Sequence, residues 1–511
     1  MDNLKKMNII KVFNKLINLL KSNNFIVFFI LFVFAGIYLG SVIANHYNFR
    51  TFCWDYGVYN NAFWDYAHFR LNKNPIYDPP GVNFLQDHMS FSLFVIAPLY
   101  WVFNWLTGTY TLLIIQELLI VIGGYYVYLL VKNKSQNQLL GIFALIHYFV
   151  LQGHYSVFSS DFNITTIGAA MVPLFLYYFD RKKMLLAFIF FLFVLISKEN
   201  MSLWLVFISI SLILLYYNDK KLVKYALILM IVSVLYFLFL FKYLIPLFED
   251  PNRQYWGFSY SALGNNINEA FLFIFQHPIK TFHLLYNNPT SDPLLDGIKL
   301  NFYKVFLFSG SFILLFRPKY LIMFIPLIAQ KMLNDSHSRW GIDWHYTIEI
   351  VSILSICVFL TISAIKNNKI KYAIAILICL SSAYITYQMF NIKNRIIPWT
   401  SVEKENFLNK KMYTPNFNIS NASKIHQYLK IIPPNAKVVA SNGLVSHFAF
   451  RKYIYLFPNV RDAEYMVLFD SDSYPLSHID YETEVKKYLN NNNWTILINE
   501  YPLYILHFNM N

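Results

Sequence analysis

Apolar residues along this chain come in long runs broken by short polar and basic stretches, not in the spaced stripes of a soluble helix. The run from Phe25 to Ala44 is long enough to span a bilayer, which takes about 20 residues of helix. Further runs lie at about 110–131, 138–157, 164–179, 184–197, 201–217, 222–245, 300–316, 320–333, 346–365 and 372–390. These predict eleven crossings if the run 88–106 is left out. Six basic clusters then fall on one face. They are the N-terminal lysines, Lys132/Lys134, Arg181/Lys182/Lys183, Lys220/Lys221/Lys224, Arg317/Lys319 and Lys366/Lys369/Lys371. Counting 88–106 as a crossing would put five of the six on the opposite face. The positive-inside rule therefore favours eleven crossings, with 88–106 entering the interface without traversing it.

Two of these runs, 184–197 and 320–333, have a length that also suits a re-entrant segment. A single helix over 184–217 would be about 50 Å long and would set Lys198 and Glu199 mid-membrane. A hairpin with Ser197-Lys198-Glu199-Asn200 at its outer turn avoids both problems. Residues 1–24, with Lys5, Lys6, Lys11, Lys15 and Lys21, read as a basic amphipathic helix on the cytoplasmic leaflet, and no small-residue cleavage site follows. The N-terminus is therefore expected inside. The transmembrane domain is predicted over 25–390, with a first extracytoplasmic loop at 45–109. From about residue 391 Pro, Asn and charge rise. Lys437–Ala440, Glu464–Phe469 and Thr495–Ile498 read as strands, and Glu482–Leu489 as a helix. An odd number of crossings places this small α/β domain, 391–511, outside the cell membrane.

Composition agrees with a multi-pass helical membrane protein. Of 511 residues, 57% are hydrophobic and only 14% charged, against about a quarter charged in soluble chains. The net charge of +14 comes from lysines beside membrane helices, so membrane lipid and not nucleic acid is the expected partner. Three cysteines, Cys53, Cys357 and Cys379, cannot form a disulfide framework. No Walker A, GxGxxG, HExxH or paired CxxC motif is present, which removes support for ATP-driven transport and thiolate zinc chemistry.

In this topology the unusual polar residues gather on the outer face. Asp55 lies about ten residues beyond the first helix, among aromatics. It can be a base, a metal ligand or a substrate anchor, or it can simply cap the next helix. Trp54 and Tyr59, with Tyr56 and Trp64, either stack on a sugar or sit at the headgroup level. Asp87 and His88 are adjacent. On a helix such neighbours point about 100° apart, which is a weak metal signal. Ala97-Pro98 breaks the following apolar run. Asp161-Phe162-Asn163 falls between the third and fourth crossings. Lys198-Glu199 falls between the fifth and sixth, and His337, Arg339, Asp343 and His345 between the ninth and tenth. Lys198 can pair with its neighbours or bind a phosphate of a lipid-linked donor. The lone His345 opens a helix and suits a structural role as well as a ligand.

Asp55-Tyr56-Gly57-Val58-Tyr59-Asn60-Asn61-Ala62-Phe63-Trp64 resembles the D-L-G-x-Y-x-Q-x-x-W phrase of the membrane family known as domain of unknown function 2079. The resemblance continues in order through His88 with Ala97-Pro98-Leu99-Tyr100, Asp161-Phe162, Lys198-Glu199, His345-Tyr346, Ile432-Pro433-Pro434, Ala440-Ser441 and Phe457-Pro458. Asn61 and Asn163 depart from it, standing where Gln and His are expected. The family looks like a branch of the GT-C glycosyltransferases. These polytopic enzymes use polyprenyl-phosphate sugars and keep a catalytic acidic residue in the first extracytoplasmic loop. The resemblance thus implies a polyprenyl-phosphate sugar donor, an extracytoplasmic acceptor and Asp55 as the catalytic carboxylate. The leaving phosphate would be met by Lys198 and Arg339. Asp87, His88, Asp161, Glu199, His345, Trp54 and Tyr59 are the expected substrate-binding set. The sequence names no cofactor, and a divalent metal is compatible with it. A carrier of lipid-linked substrates and a non-catalytic scaffold are the competing classes. A transferase should gather Asp55, His88, Asp161, Lys198 and His345 around one cavity, and a scaffold should not.

Overall fold

The computed structural model describes residues 23–509, apart from 79–80, 160, 251–257, 291, 343 and 391–407. The amphipathic helix expected over 1–24 lies almost wholly outside the described residues, as does the domain boundary expected at 391. Among the described residues five helices are long and apolar enough to cross a membrane: Asn24–Tyr47, Leu99–Ser135, Lys220–Phe248, His345–Ile362 and Asn368–Phe390. Gln138–Val150 and Gln152–Phe158 pass that test as a pair bent by 44°. Ile164–Asp180, Met184–Leu195 and Met201–Leu215 are shorter apolar helices, and the last two form the expected hairpin.

These helices are apolar both in the interior and on the outer face, unlike those of a soluble bundle. His345–Ile362 is the hub, 94% buried over its apolar window, against Ile164–Asp180, Gln138–Val150 and Thr111–Ser135. Peripheral helices turn Phe28, Phe32, Leu185 and Leu377 outward, each with more than half of its surface exposed. Such exposure is stable only in lipid. Small residues set the closest approach. A Cβ at Gly123 would stand 2.9 Å from the carbonyl of Ala170, so Thr111–Ser135 meets Ile164–Asp180 there only as glycine.

Two expected crossings take another form. In place of 300–316 there is a helix Ile298–Phe308, a turn at Ser309-Gly310 and a 3₁₀ stretch Ser311–Phe316. In place of 320–333 there is a 3₁₀ stretch Pro318–Phe324 followed by Ile325–Met332. Gly310 at φ 88° turns the chain, and Pro318 and Pro326 each remove a backbone donor, so neither run continues as one α-helix. The run 88–106 forms Ser92–Ile96 and Leu99–Thr107, hinged at Ala97-Pro98. The second piece leans on the helix Val58–Ala67, where Trp101 Nε1 donates to Ala67 O, and turns Trp105 and Leu106 outward. It runs on into the helix from Thr111, with a break at Gly108, whose φ is 50°. The apolar helix Ile267–Gln276 falls where the hydropathy pattern predicts nothing.

The C-terminal domain is one five-stranded mixed sheet in the order β2-β1-β3-β5-β4. β1 (Val438–Ala440) lies parallel to β2 (Ile454–Leu456) and to β3 (Tyr465–Phe469). β5 (Leu503–Phe508) is antiparallel to β3 and to β4 (Trp494–Glu500). The expected strands are β1, β3 and β4. β2 and β5 fall outside the expected strands. The buried β1 feeds the helix Asn442–Phe448, which docks on the first loop of the membrane half.

Candidate active site

The first loop forms a wide turn at Cys53–Gly57 and then the helix Val58–Ala67. Asp55 sits in that turn at φ 66°, ψ −87°, a γ-turn conformation that costs a non-glycine residue roughly 1–3 kcal/mol. Neighbours on three sides hold it there. Phe52 N–H donates to Asp161 Oδ2 at 3.0 Å, and Cys53 N–H to Asn442 Oδ1 at 3.0 Å. Gly57 N–H closes the turn on Phe52 O at 3.0 Å. One residue upstream, the Thr51 and Ser446 hydroxyls bond at 2.9 Å. Gly57 admits the docking helix, since a Cβ there would stand 3.0 Å from Val445 Cγ1. The helix Val58–Ala67 is capped by Gly57 without a side-chain bond, so Asp55 is not its N-cap.

Every one of these bonds uses backbone or a neighbour's side chain. The Asp55 carboxylate itself forms no hydrogen bond among the described residues. Burial pushes it up to about 6, and the Lys198 ammonium pulls the other way. Lys198 stands in the turn between Met184–Leu195 and Met201–Leu215, is buried, and forms no ion pair with a described residue. Burial holds its ammonium below the ordinary lysine value, with Arg339 adding to that and Glu199, Glu349 and Asp55 opposing it.

The charges of Asp55, Asp87 and Glu199 all act on Tyr59, whose ring lies flat against His88 with centroids 5.7 Å apart. Arg339 lies over the ring of Tyr346 at 5.5 Å, and Tyr346 also feels Asp55. His345, buried, has its ring 4.2 Å from that of Tyr346. Trp54 stacks on Tyr77 at 6.2 Å. The structure thus brings Asp55, Lys198, Glu199, Arg339, Asp87 and Tyr59 within electrostatic reach of one another. Asp161 holds the Asp55 turn through Phe52 and through its own carbonyl, which accepts from Gln116 Nε2 at 3.3 Å. Among the described residues no three His, Cys, Asp or Glu side chains gather in a way that could hold a metal ion. Asp343 lies outside the described residues.

Four neighbours escaped the sequence reading. Glu349 is buried in the hub helix and accepts from Asn200 Nδ2 at 3.4 Å. Lys331 is buried, donates to Gly341 O at 3.3 Å and lies over Tyr346 at 5.8 Å. A charge inside an apolar run was the available signal for both. Tyr346 had only its place beside His345. Asn442, 389 residues from Cys53, had none.

Residues 45–500 match the family described as predicted membrane protein, DUF2079. The chain belongs to that family. No curated protein matches it. Among solved structures, that of ArnT from Cupriavidus metallidurans bound to undecaprenyl phosphate is similar at 11% identity, over 94% of this chain and 97% of that one, with a TM-score of 0.48.

Proposed function

We propose that the protein is a GT-C-type glycosyltransferase that moves a sugar from a polyprenyl-phosphate donor to an extracytoplasmic acceptor, with Asp55 as general base. The observation that carries this reading is a carboxylate held on a strained turn, bonded to no other group among the described residues and within electrostatic reach of a buried cation. An acid used only for structure would spend its oxygens on hydrogen bonds. This one keeps both for an incoming group.

The chemistry follows from the two charges. An acceptor hydroxyl gives its proton to Asp55 as its oxygen bonds to the anomeric carbon. The bond from that carbon to the phosphate oxygen breaks on the opposite face, and the phosphate leaves with the electron pair. The sugar passes through an oxocarbenium-like state and the anomeric centre inverts, as when a general base activates water in inverting glycoside hydrolysis. Lys198 and Arg339 offset the charge growing on the phosphate. A value near 6 lets Asp55 be ionised at neutral pH and still accept a proton usefully. Asp161 and Asn442 are positioning residues in this scheme, because they hold the turn and not the substrate. Trp54, Tyr59, Asp87, His88, Glu199 and His345 would bound the sugar and its phosphate.

The test begins without a known sugar. Mass spectrometry of lipid-linked and surface glycans is compared in a deletion strain complemented by wild type or by Asp55→Asn. A glycan present with wild type and missing with a well-expressed Asp55→Asn is expected. Full restoration by Asp55→Asn would remove Asp55 as the base.

A further inference from the structure

A pocket lies where the first loop meets the C-terminal domain. It has a volume of about 470 Å³, within the range of roughly 300–1,000 Å³ typical of small-ligand sites. Arg70, Lys73, Lys452 and Arg461 line it, with the rings of Tyr453 and Tyr455. Its one carboxylate, Asp65, is already engaged, by Arg70 Nε at 2.9 Å and Asn72 Nδ2 at 2.8 Å. Arg461 is fixed by the carbonyls of Pro75 and Tyr77 at 2.7 and 2.9 Å and lies over Tyr455 at 5.0 Å. Lys73 and Lys452 are exposed and form no ion pair with a described residue. The Lys452 ammonium stands over the Tyr453 ring at 5.0 Å.

Asp65 offsets Arg70, and the charges of Asp78 and Asp462 act on Arg461, which leaves the Lys73 and Lys452 ammonium groups beside one hollow without a carboxylate partner among the described residues, and an anion there would relieve their repulsion. Arg461, immobilised at its guanidinium, is suited to a phosphate or carboxylate, and the tyrosine faces offer flat contact area to a sugar ring. Pro75 lines the pocket, Arg461 is bonded to Tyr77 O, and the Tyr77 ring stacks on Trp54, the chain neighbour of Asp55. We infer that this pocket binds a carbohydrate bearing a phosphate or carboxylate, and that it holds the anionic part of the acceptor beside the transfer site. The acceptor assignment rests on the transferase reading, whereas the binding of an anionic sugar does not.

The experiment is calorimetric titration of the full-length protein in phosphatidylcholine nanodiscs with glucose 1-phosphate, glucuronate and glucose. The two charged sugars should bind more tightly than glucose, and added salt should weaken them. The double substitution Lys73→Gln with Lys452→Gln should lower their affinity roughly tenfold and leave glucose unchanged. Asp55→Asn should bind as wild type does, which separates loss of the pocket from loss of the base. Equal affinities for all three sugars, or an undiminished double variant, would overturn the proposal. Competition decides the source of the anion. Displacement of glucose 1-phosphate by phosphatidylglycerol nanodiscs, and not by phosphatidylcholine nanodiscs, would give the pocket to a lipid headgroup and overturn the acceptor assignment.

Discussion

The two turns that carry Asp55 and Lys198 hold their charged side chains in different ways. The Cys53–Gly57 turn is held where the Phe52 N–H just before it donates to Asp161 and the Cys53 N–H donates to Asn442 of the C-terminal domain. Its side chain is left over for other use. The Ser197–Asn200 turn joins two apolar helices, is tied by Asn200 Nδ2 to Gln330 and Glu349, and buries its Lys198 charge within reach of Glu199, Glu349, Asp55 and Arg339. A strained backbone needs a clamp, and a buried charge needs counter-charges. A substitution in the first turn should therefore misplace one group, and a substitution in the second should retune several.

The largest effect is expected at the first turn. Asp55→Asn keeps size and shape but cannot take a proton, and loss of a general base costs about 10²–10⁴ in rate. Its stability should move the other way. Asp55 in the folded chain sits above its unfolded value, so any stability from its protonated form is complete below about 3.9 and is lost as pH rises through about 6. At neutral pH the neutral amide should unfold no earlier than wild type in a thermal melt. A melt shifted clearly downward would mean that Asp55 works as a structural acid after all.

At the second turn, Lys198→Gln should lower transfer by roughly 10²-fold, the cost of losing one charge-stabilising donor. Removing the cation also removes what pulls Asp55 down, so the acid limb of kcat/KM, expected near 6 in wild type, should move to higher pH. An unmoved limb with reduced rate would uncouple the two turns.

The clamp gives a smaller effect. Asn442→Ala leaves Cys53 N–H without its acceptor and should destabilise the turn by about 1–3 kcal/mol, with kcat falling about tenfold and KM little changed. Asn442→Asp keeps the acceptor and should recover most of kcat. Equal loss in both variants would point to general misfolding of the C-terminal domain, read by its own melt. The smallest effect belongs to Gly57→Ala, where the added methyl meets Val445 Cγ1 at 3.0 Å and costs on the order of 1 kcal/mol of overpacking. Val445→Ala should relieve it.

What the sequence determined by itself was set by the solvent. In a bilayer each backbone group must be satisfied within its own segment, so a long apolar run has little choice but helix. For that reason Asn24–Tyr47, Lys220–Phe248 and Asn368–Phe390 were legible from hydropathy, and the break between Met184–Leu195 and Met201–Leu215 from length and the charges of Lys198 and Glu199. Charge in an apolar setting marked Asp55 and Lys198 on the same grounds, because it is too costly to place idly. The bends through 300–333 were not legible, since 3₁₀ and α turns have the same apolar composition and differ only in packing. Nor was the bond from Phe52 N–H to Asp161 Oδ2, at a residue that the resemblance implies as a substrate contact. The clamp by Asn442 and the basic pocket shared by Lys73 and Lys452 join segments nearly four hundred residues apart. Such pairings leave no local periodicity, and only tertiary packing brings them within reach of a hydrogen bond or a shared anion.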